Sequence, residues 1–168
     1  MSTTRRASAA ARSVEWPAAW VRPAALILAV LGLAVSAYLT YEHYTGSTTL
    51  ACSESGVVNC SAVTTSNYAY LPPGAGSWHP PVALLGLLFF VAVTVLCLPR
   101  LWGRSRSLDL VRLVALGGGV LMVLWLVYAE LFKIDRICLW CTSVHVITVV
   151  LFGVVAVAEA LRPIPVDR

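Results

Sequence analysis

The chain has 168 residues, of which 59% are hydrophobic and only 12% are Asp, Glu, Lys or Arg. This length fits one domain. Typical soluble domains are about 25% charged, so the composition excludes an ordinary soluble domain. The formal net charge of +4 could indicate nucleic-acid binding, but long apolar runs separate the basic residues instead of leaving one basic patch. The charge therefore indicates membrane topology.

Four apolar runs organise the chain. They contain no Asp, Glu, Lys or Arg and cover residues 23–41, 80–99, 113–129 and 137–158. Each run is close to the length of about 17–25 residues that crosses a bilayer as a helix. The sequence therefore predicts an all-α integral membrane protein, a four-transmembrane-helix bundle with a long extracytoplasmic loop between its first and second helices. The predicted helices are residues 23–42, 80–99, 109–131 and 137–160.

The third run is the shortest, and an ionisable residue bounds it on each side. Arg112 precedes the run and Glu130 follows it. A long arginine side chain can keep its stem in the apolar layer while its charged group reaches the interface. We therefore expect Arg112 to snorkel outward, and we expect Glu130 to be a residue of the opposite membrane interface rather than a catalytic acid.

Basic residues divide the connections between these helices into two classes. Arginines precede the first run, surround the second connection and follow the last run, whereas the loop over residues 43–79 has no Lys or Arg. By the positive-inside rule, both termini and the second connection are cytoplasmic. We expect a multi-pass protein of the cell inner (plasma) membrane, with a membrane domain over 23–161. A disordered tail over 1–22 and a short tail over 162–168 would both be cytoplasmic.

Four of the five cysteines are extracytoplasmic in this topology. Cys52 and Cys60 lie in the first loop with seven residues between them, and Cys138 and Cys141 lie at the start of the last helix. Disulfides form and persist in such compartments. Cys97 is alone near the cytoplasmic end of the second helix, where we expect a buried small hydrophobic residue.

The last helix begins with I-C-L-W-C-T-S-V-H, residues 137–145. Cys138 and Cys141 are three residues apart and so share one helix face, with His145 one turn deeper on the same face. The partial positive charge of a helix N-terminus favours a thiolate over a thiol. The pattern predicts a redox-capable dithiol with a hydrogen-bonding ring beneath it.

The residues alone leave three uses of these cysteines open. Two structural disulfides could staple the extracytoplasmic side, although a C-x-x-C pair in a first helical turn suits reversible exchange better. A metal could bind the thiols with His79 or His145, but C-x7-C is not a usual companion spacing in zinc sites. The third use is a relay. An exposed dithiol would pass electrons from a soluble protein to a buried dithiol, which would reduce a lipid-soluble quinone.

Several motifs occur along the chain in an order that resembles one family. They are Y-L-T-Y-E-H-Y-T-G at 38–46, V-V-N-C at 57–60 ending the C-x7-C, Ser66, P-V-A-L-L-G at 81–86, and Y-A-E-L-F-K-I-D-R-I-C-L-W-C at 128–141. Together they resemble the bacterial vitamin K epoxide reductase homologues, membrane quinone reductases that drive disulfide formation. The resemblance covers roughly the whole membrane portion.

The resemblance implies a role for each extracytoplasmic cysteine. It implies that Cys138 and Cys141 are the catalytic pair, with Cys141 the thiolate that faces the quinone. It implies that Cys52 and Cys60 are a redox shuttle, in which Cys60 meets the partner protein and Cys52 exchanges with Cys138.

The resemblance also implies two quinone-binding residues. His145 falls where some relatives place a tyrosine that hydrogen-bonds the quinone, and Ser66 matches a loop serine typical of the family. The electron acceptor would be menaquinone or ubiquinone, and neither a metal nor a flavin is expected.

Many bacterial relatives carry a fused thioredoxin-like domain, and this chain resembles the stand-alone form without it. The expected function is a quinone-dependent thiol oxidase that reoxidises a separate DsbA-like or thioredoxin-like extracytoplasmic protein and so supports disulfide bond formation. Its other expected partners are membrane lipid and the quinone, with no nucleic acid. The alternative is a membrane protein that uses the same thiols for metal binding or transport.

Overall fold

The computed structural model describes residues 17–46, 52, 56–74 and 79–162. Within these ranges the chain is helical, and it contains two isolated β-bridges but no strand. The principal helices are α1 (Val21–Thr45), α2 (Cys60–Thr64), α3 (Val82–Leu96), α4 (Arg106–Ala129) and α5 (Leu139–Ala160). Most of both predicted tails, residues 1–16 and 163–168, lies outside the described residues.

Three of these helices are long and apolar enough to cross a membrane. They are α1, α4 together with the π-helical turn Glu130–Ile134 that continues it, and α5. The fourth apolar helix, α3, has 15 residues, fewer than the predicted 80–99. Prolines account for the difference: Pro81 holds an extended backbone as the N-cap of α3, and Pro99 opens a separate 3₁₀ turn beyond its end.

Helix α1 packs between α3 and α5, and α5 packs on α4. Small residues allow the closest of these approaches. A Cβ atom at Gly32 of α1 would lie 2.0 Å from a ring carbon of Phe90 in α3, so only glycine leaves room for the ring there. Ala25 and Ala29 of α1 are also fully buried in the core shared by these helices. Small side chains at a helix crossing bring the backbones together in the manner typical of membrane helices.

Arg112 does not snorkel outward, so that expectation is wrong. Its side chain is fully buried and donates two hydrogen bonds to the carbonyl oxygen of Leu96, at 2.9 and 2.6 Å. It also forms an ion pair with Asp109 at 2.9 Å, and its guanidinium lies 3.9 Å from the ring centre of Trp102. Leu96 is the last residue of α3, where carbonyl groups lack helical partners. The arginine satisfies that helix end, which holds the side chain inside.

Further ion pairs extend this network to the end of α5. Asp109 also accepts a hydrogen bond from Arg162, and Arg162 pairs with Glu159 at 3.1 Å. We call the four residues Asp109, Arg112, Glu159 and Arg162 the arginine end of the protein. Because charged pairs with little exposure stabilise only in fixed geometry, this end ties α3, α4 and α5 together in one arrangement.

Candidate active site

The C-x-x-C pair lies where α5 begins. Cys138 is the N-cap residue of α5, and its sulfur accepts a hydrogen bond from the backbone N–H of Cys141 at 3.2 Å. An N-cap side chain satisfies one of the free amides of the first turn, a task usually done by an oxygen atom. Both thiols are free, Cys138 being fully buried and Cys141 partly exposed. The helix start thus fixes Cys138 relative to Cys141.

The loop pair is joined in the structure. Cys52 and Cys60 form a disulfide with an S–S distance of 2.03 Å. Cys60 is the first residue of α2, a helix capped by Asn59, whose side-chain oxygen accepts from the backbone N–H of Ala62 at 2.8 Å. The Asn59 cap therefore fixes the position of Cys60, one of the two cysteines of the disulfide.

Backbone hydrogen bonds join the two cysteine-bearing segments. Ile137 donates to the carbonyl oxygen of Val57 at 3.0 Å, and Asn59 donates to the carbonyl oxygen of Ile137 at 3.1 Å. These bonds make an isolated parallel β-bridge between Val58 and Ile137. Ile137 directly precedes Cys138, and Asn59 directly precedes Cys60. The bridge therefore brings the loop pair to the start of α5.

The four extracytoplasmic cysteines predicted from the sequence lie in one cluster. Its buried members are Cys60, Val63 and Cys138, with Cys52, Ile134, Trp140 and Cys141 packed against them. We call this the cysteine end of the protein. Cys97 belongs instead to the core cluster at the other end of α3, where it is fully buried. The structure thus separates Cys97 from the other four.

The two loop cysteines differ in exposure. Cys60 is fully buried in the cluster that contains Cys138, whereas Cys52 is partly exposed. The family resemblance implied that Cys60 meets the partner protein and that Cys52 exchanges with Cys138. A large protein partner reaches an exposed sulfur more readily than a buried one, so the burial favours Cys52 for that contact.

The surroundings of Cys138 favour its thiolate. A hydrogen bond from the side chain of Cys141 lowers the pKa of Cys138 below its ordinary value, and this effect outweighs the burial that raises it. The charge of Glu130 acts in the direction that raises the pKa. Because the thiolate is the species that attacks a disulfide, Cys138 is suited to exchange with the loop pair.

A cavity of about 380 Å³ opens beside Cys141. Its lining includes Cys141, His145 and Ser66, so the cavity brings together three residues that the sequence singled out. Cys138 does not line it. Ligand pockets commonly have volumes of about 300–1,000 Å³ and mostly apolar walls. The cysteine end therefore has a pocket on the Cys141 side and the loop pair on the Cys138 side.

The apolar residues that line the cavity come mainly from α3 and α4. Those on α3 are Val82, Ala83, Leu85, Gly86, Phe89 and Phe90, and those on α4 include Ala115, Gly118, Gly119, Met122, Val123 and Leu126. Gly119 lies against Phe89, since a Cβ atom there would lie 2.6 Å from the ring. The space therefore suits a flat or chain-like apolar molecule with few polar groups.

The two polar residues predicted to bind a quinone have different surroundings. His145 is 7% exposed and lies one turn beyond Cys141 on α5. The hydroxyl of Ser66 donates a hydrogen bond to the carbonyl oxygen of Val63 at 2.8 Å. Ser66 thus stabilises the turn after α2. His145 is the more buried of the two residues.

Glu130 is a cavity residue that the sequence analysis assigned to the membrane interface. Its side chain is 6% exposed and lines the cavity with Cys141, so the expectation of an interface residue is wrong. Glu130 is the first residue of the π-helical turn that continues α4 and is its buried member. An ionisable residue within an apolar membrane segment is by default a candidate functional residue, and that signal was present in the sequence.

Among residues 17–46, 52, 56–74 and 79–162, no group of three or more His, Cys, Asp or Glu side chains is arranged to hold a metal ion. Neither His79 nor His145 gathers with the thiols in such a group. His79 instead contacts the carbonyl oxygen of Pro72 through its Nδ1 atom at 2.9 Å. The geometry gives no support to the metal-binding alternative.

Comparison with known proteins agrees with the arrangement of these residues. No individual curated protein matches the sequence. The model of the Vitamin K epoxide reductase family matches residues 23–156. This range includes all four helices longer than ten residues, except the first two residues of α1 and the last four of α5. The chain therefore belongs to the vitamin K epoxide reductase family, whose members are membrane thiol–disulfide oxidoreductases that use quinones.

Proposed function

We propose that the protein is a quinone-dependent thiol oxidase that supports disulfide bond formation. One observation carries this proposal: Cys141 lines an apolar cavity with His145, while its partner Cys138 is buried with the loop cysteine Cys60. The C-x-x-C pair therefore faces a pocket on one side and a second dithiol on the other. Such a pair can receive electrons from the loop pair and deliver them into the pocket.

The proposed reaction conserves electrons and protons at each stage. A reduced DsbA-like or thioredoxin-like protein passes two electrons to the Cys52–Cys60 disulfide, and its own thiols become a disulfide. The reduced loop pair then reduces a Cys138–Cys141 disulfide. The reduced C-x-x-C pair finally transfers two electrons and two protons to a quinone, menaquinone or ubiquinone, giving a quinol and restoring its own disulfide.

The cavity residues divide the work of holding the quinone. Cys141 would face the ring, because it is the cysteine that lines the cavity. His145 would donate a hydrogen bond to a quinone oxygen, where negative charge develops during reduction. Ser66 would contact the head group from the loop side while keeping its bond to Val63.

All four apolar helices would cross the membrane as one bundle over residues 23–161. The 15 residues of α3 rise about 22 Å, short of the roughly 30 Å hydrocarbon layer, so the neighbouring proline segments would complete the path. The distribution of arginines supports cytoplasmic termini and an extracytoplasmic cysteine end in the inner (plasma) membrane.

Burial suggests how the loop pair divides its two contacts. Cys52, the partly exposed member, would receive the partner protein, and Cys60, the buried member, would exchange with Cys138. This order differs from the one that the resemblance implied, because the side chain of Cys60 lies inside the cluster with Cys138.

Trapped disulfides test this order. In a chain with Cys141→Ser, a disulfide between Cys138 and a loop cysteine cannot be resolved by Cys141 and should accumulate. We expect Cys52→Ser/Cys141→Ser to accumulate the Cys60–Cys138 bond, and Cys60→Ser/Cys141→Ser to accumulate far less of any bond to Cys138. Peptide mapping without reductant measures both. A dominant Cys52–Cys138 bond would restore the order implied by the resemblance.

Quinone reduction by dithiothreitol tests the function itself. We expect the purified protein to reduce menaquinone or ubiquinone, and Cys141→Ala to lose this activity. Cys97→Ala is the matched control, because Cys97 is also a free cysteine but lies outside the cysteine end. If Cys141→Ala reduced quinone at the wild-type rate, the proposed route would be wrong.

A further inference from the structure

Glu130 is a buried carboxyl group that the electron route does not use. It is the only Asp, Glu, Lys or Arg among the described residues that line the cavity. The ion pairs formed within the described part of the chain do not include it. Keeping an unpaired carboxyl group away from water is costly, which calls for an explanation.

The backbone fixes Glu130 beside the dithiol. Its carbonyl oxygen accepts hydrogen bonds from the N–H groups of Asp135 and Arg136, which close the π-helical turn. Asp135 holds a left-handed conformation with φ of 54°, which turns the chain toward Cys138. The Glu130 carboxyl group in turn accepts a hydrogen bond from the backbone amide of Cys138. Such π-helical turns inside α-helices are frequent at functional sites.

The carboxyl group interacts with both members of the C-x-x-C pair. Its charge acts on Cys138 and on Cys141, although only Cys141 lines the cavity with it. The other ionisable side chains that line the cavity, apart from Cys141, are His43, Tyr68 and His145, and none of them is a carboxyl group. Glu130 therefore shares with Cys141 the cavity proposed for the quinone.

We propose that Glu130 carries a proton from the C-x-x-C dithiol to the quinone. This inference rests on the proposed function. Starting from the dithiol, oxidation releases two electrons and two protons and forms one S–S bond, while two O–H bonds form on the quinone oxygens. The proton that Cys138 loses on becoming a thiolate passes to solvent, and solvent supplies one proton to the quinone. The Glu130 carboxylate accepts one thiol proton as the electron pair leaves, then donates it to a quinone oxygen and becomes a carboxylate again. No other oxidant or reductant is required.

The substitution Glu130→Gln tests the proton step, because the amide keeps the shape and an acceptor oxygen but cannot carry the proton. We expect kcat for dithiothreitol-driven quinone reduction to fall about 100-fold, the size typical of lost general acid–base catalysis, with little change in KM. Glu130→Asp retains a carboxyl group and should recover a substantial part of kcat. A purely structural role would not give this recovery.

Glu42→Gln is the matched control, because Glu42 has the same 6% exposure but does not line the cavity. It should keep the wild-type kcat. Wild-type kcat in Glu130→Gln would overturn the proton role alone and leave the proposed function intact. Equal loss in Glu130→Gln and Glu130→Asp would also overturn it, in favour of packing. A wild-type protein that cannot reduce quinone would contradict the proposed function itself, and the proton role with it.

Discussion

The two ends of the helices are built from opposite kinds of chemistry. At the arginine end, buried charges meet in ion pairs, with Arg112 joined to Asp109 and Asp109 joined to Arg162. At the cysteine end, four sulfur atoms meet in a largely apolar cluster, and two backbone hydrogen bonds link its two segments. One end has many directional bonds between side chains, and the other has few.

This difference indicates which end of the molecule can exchange disulfide bonds during the reaction. A buried ion pair loses several kcal/mol when one partner is removed, so the arginine end has one favourable arrangement. Disulfide exchange needs a sulfur to leave one partner and meet another. Few directional side-chain bonds hold the sulfur atoms of the cysteine end, so they can change partners. We infer that the arginine end holds the helices in place while the cysteine end reacts.

Removing one sulfur from the cysteine end should have the largest effect on activity. We expect Cys138→Ala to reduce quinone no faster than a protein-free control, because no disulfide can form with Cys141. The same variant should remain folded, since the arginine end is untouched. Quinone reduction and thermal unfolding in detergent measure the two properties. If Cys138→Ala unfolded but its folded molecules kept their activity, the assignment of reactivity to the cysteine end and of stability to the arginine end would be wrong.

Removing one charge from the arginine end should lower the stability of the fold rather than act directly on the redox reaction. Arg112→Ala leaves Asp109 short of a buried partner, and we expect the free energy of unfolding to fall by about 3–5 kcal/mol. Arg104→Ala is the matched control, because Arg104 is exposed and forms no ion pair with any residue in the described ranges. Equal stability of the two variants would show that the ion-pair network does not hold α3, α4 and α5 together.

A smaller loss of activity is expected when His145, one helical turn beyond Cys141, is replaced. His145→Phe keeps a flat ring but removes the hydrogen-bond donor, so we expect kcat to fall by about 100-fold. Alkylation of free thiols should show that the Cys52–Cys60 bond still forms. Unchanged kinetics would assign His145 a packing role only.

The smallest expected effect tests the wall of the cavity. Gly119→Ala places a methyl group against Phe89, a ring that lines the cavity and must shift to make room, so we expect KM for quinone to rise a few-fold with kcat retained. Gly117→Ala provides the comparison, since its new Cβ would make an ordinary contact with Phe152 at 3.8 Å and does not face the cavity. Steady-state kinetics on both variants give the result. An identical KM in the two would mean that this wall does not contact the quinone.

The approximate positions of the long helices could be predicted because runs without charged residues are a strong signal in one dimension. The four cysteines of the cysteine end could be picked out in the same way, from their spacing and their predicted side of the membrane. Arg112 was misplaced because snorkelling is the default for a residue at a helix end, whereas its partners Leu96 and Asp109 are set by packing. Such partners are not visible in a local pattern.

Glu130 was misplaced for a related reason. The sequence shows an acid at the end of an apolar run, which fits an interface residue as well as a cavity residue. The burial of its side chain and its place in the cavity wall depend on how the helices pack, which a local pattern does not show. The cavity itself depends on space left between helices, and no sequence motif encodes that space.

Counting the quinol that the fully reduced protein forms without added reductant tests the central claim most directly. The protein is fully reduced, freed of reductant without oxygen and mixed with excess quinone. Two dithiols acting in sequence predict two quinols per chain in the wild type and one in Cys60→Ser, where only the C-x-x-C pair can be oxidised. One quinol per wild-type chain would show that the loop pair does not feed the C-x-x-C pair, and none would show that neither pair reduces quinone.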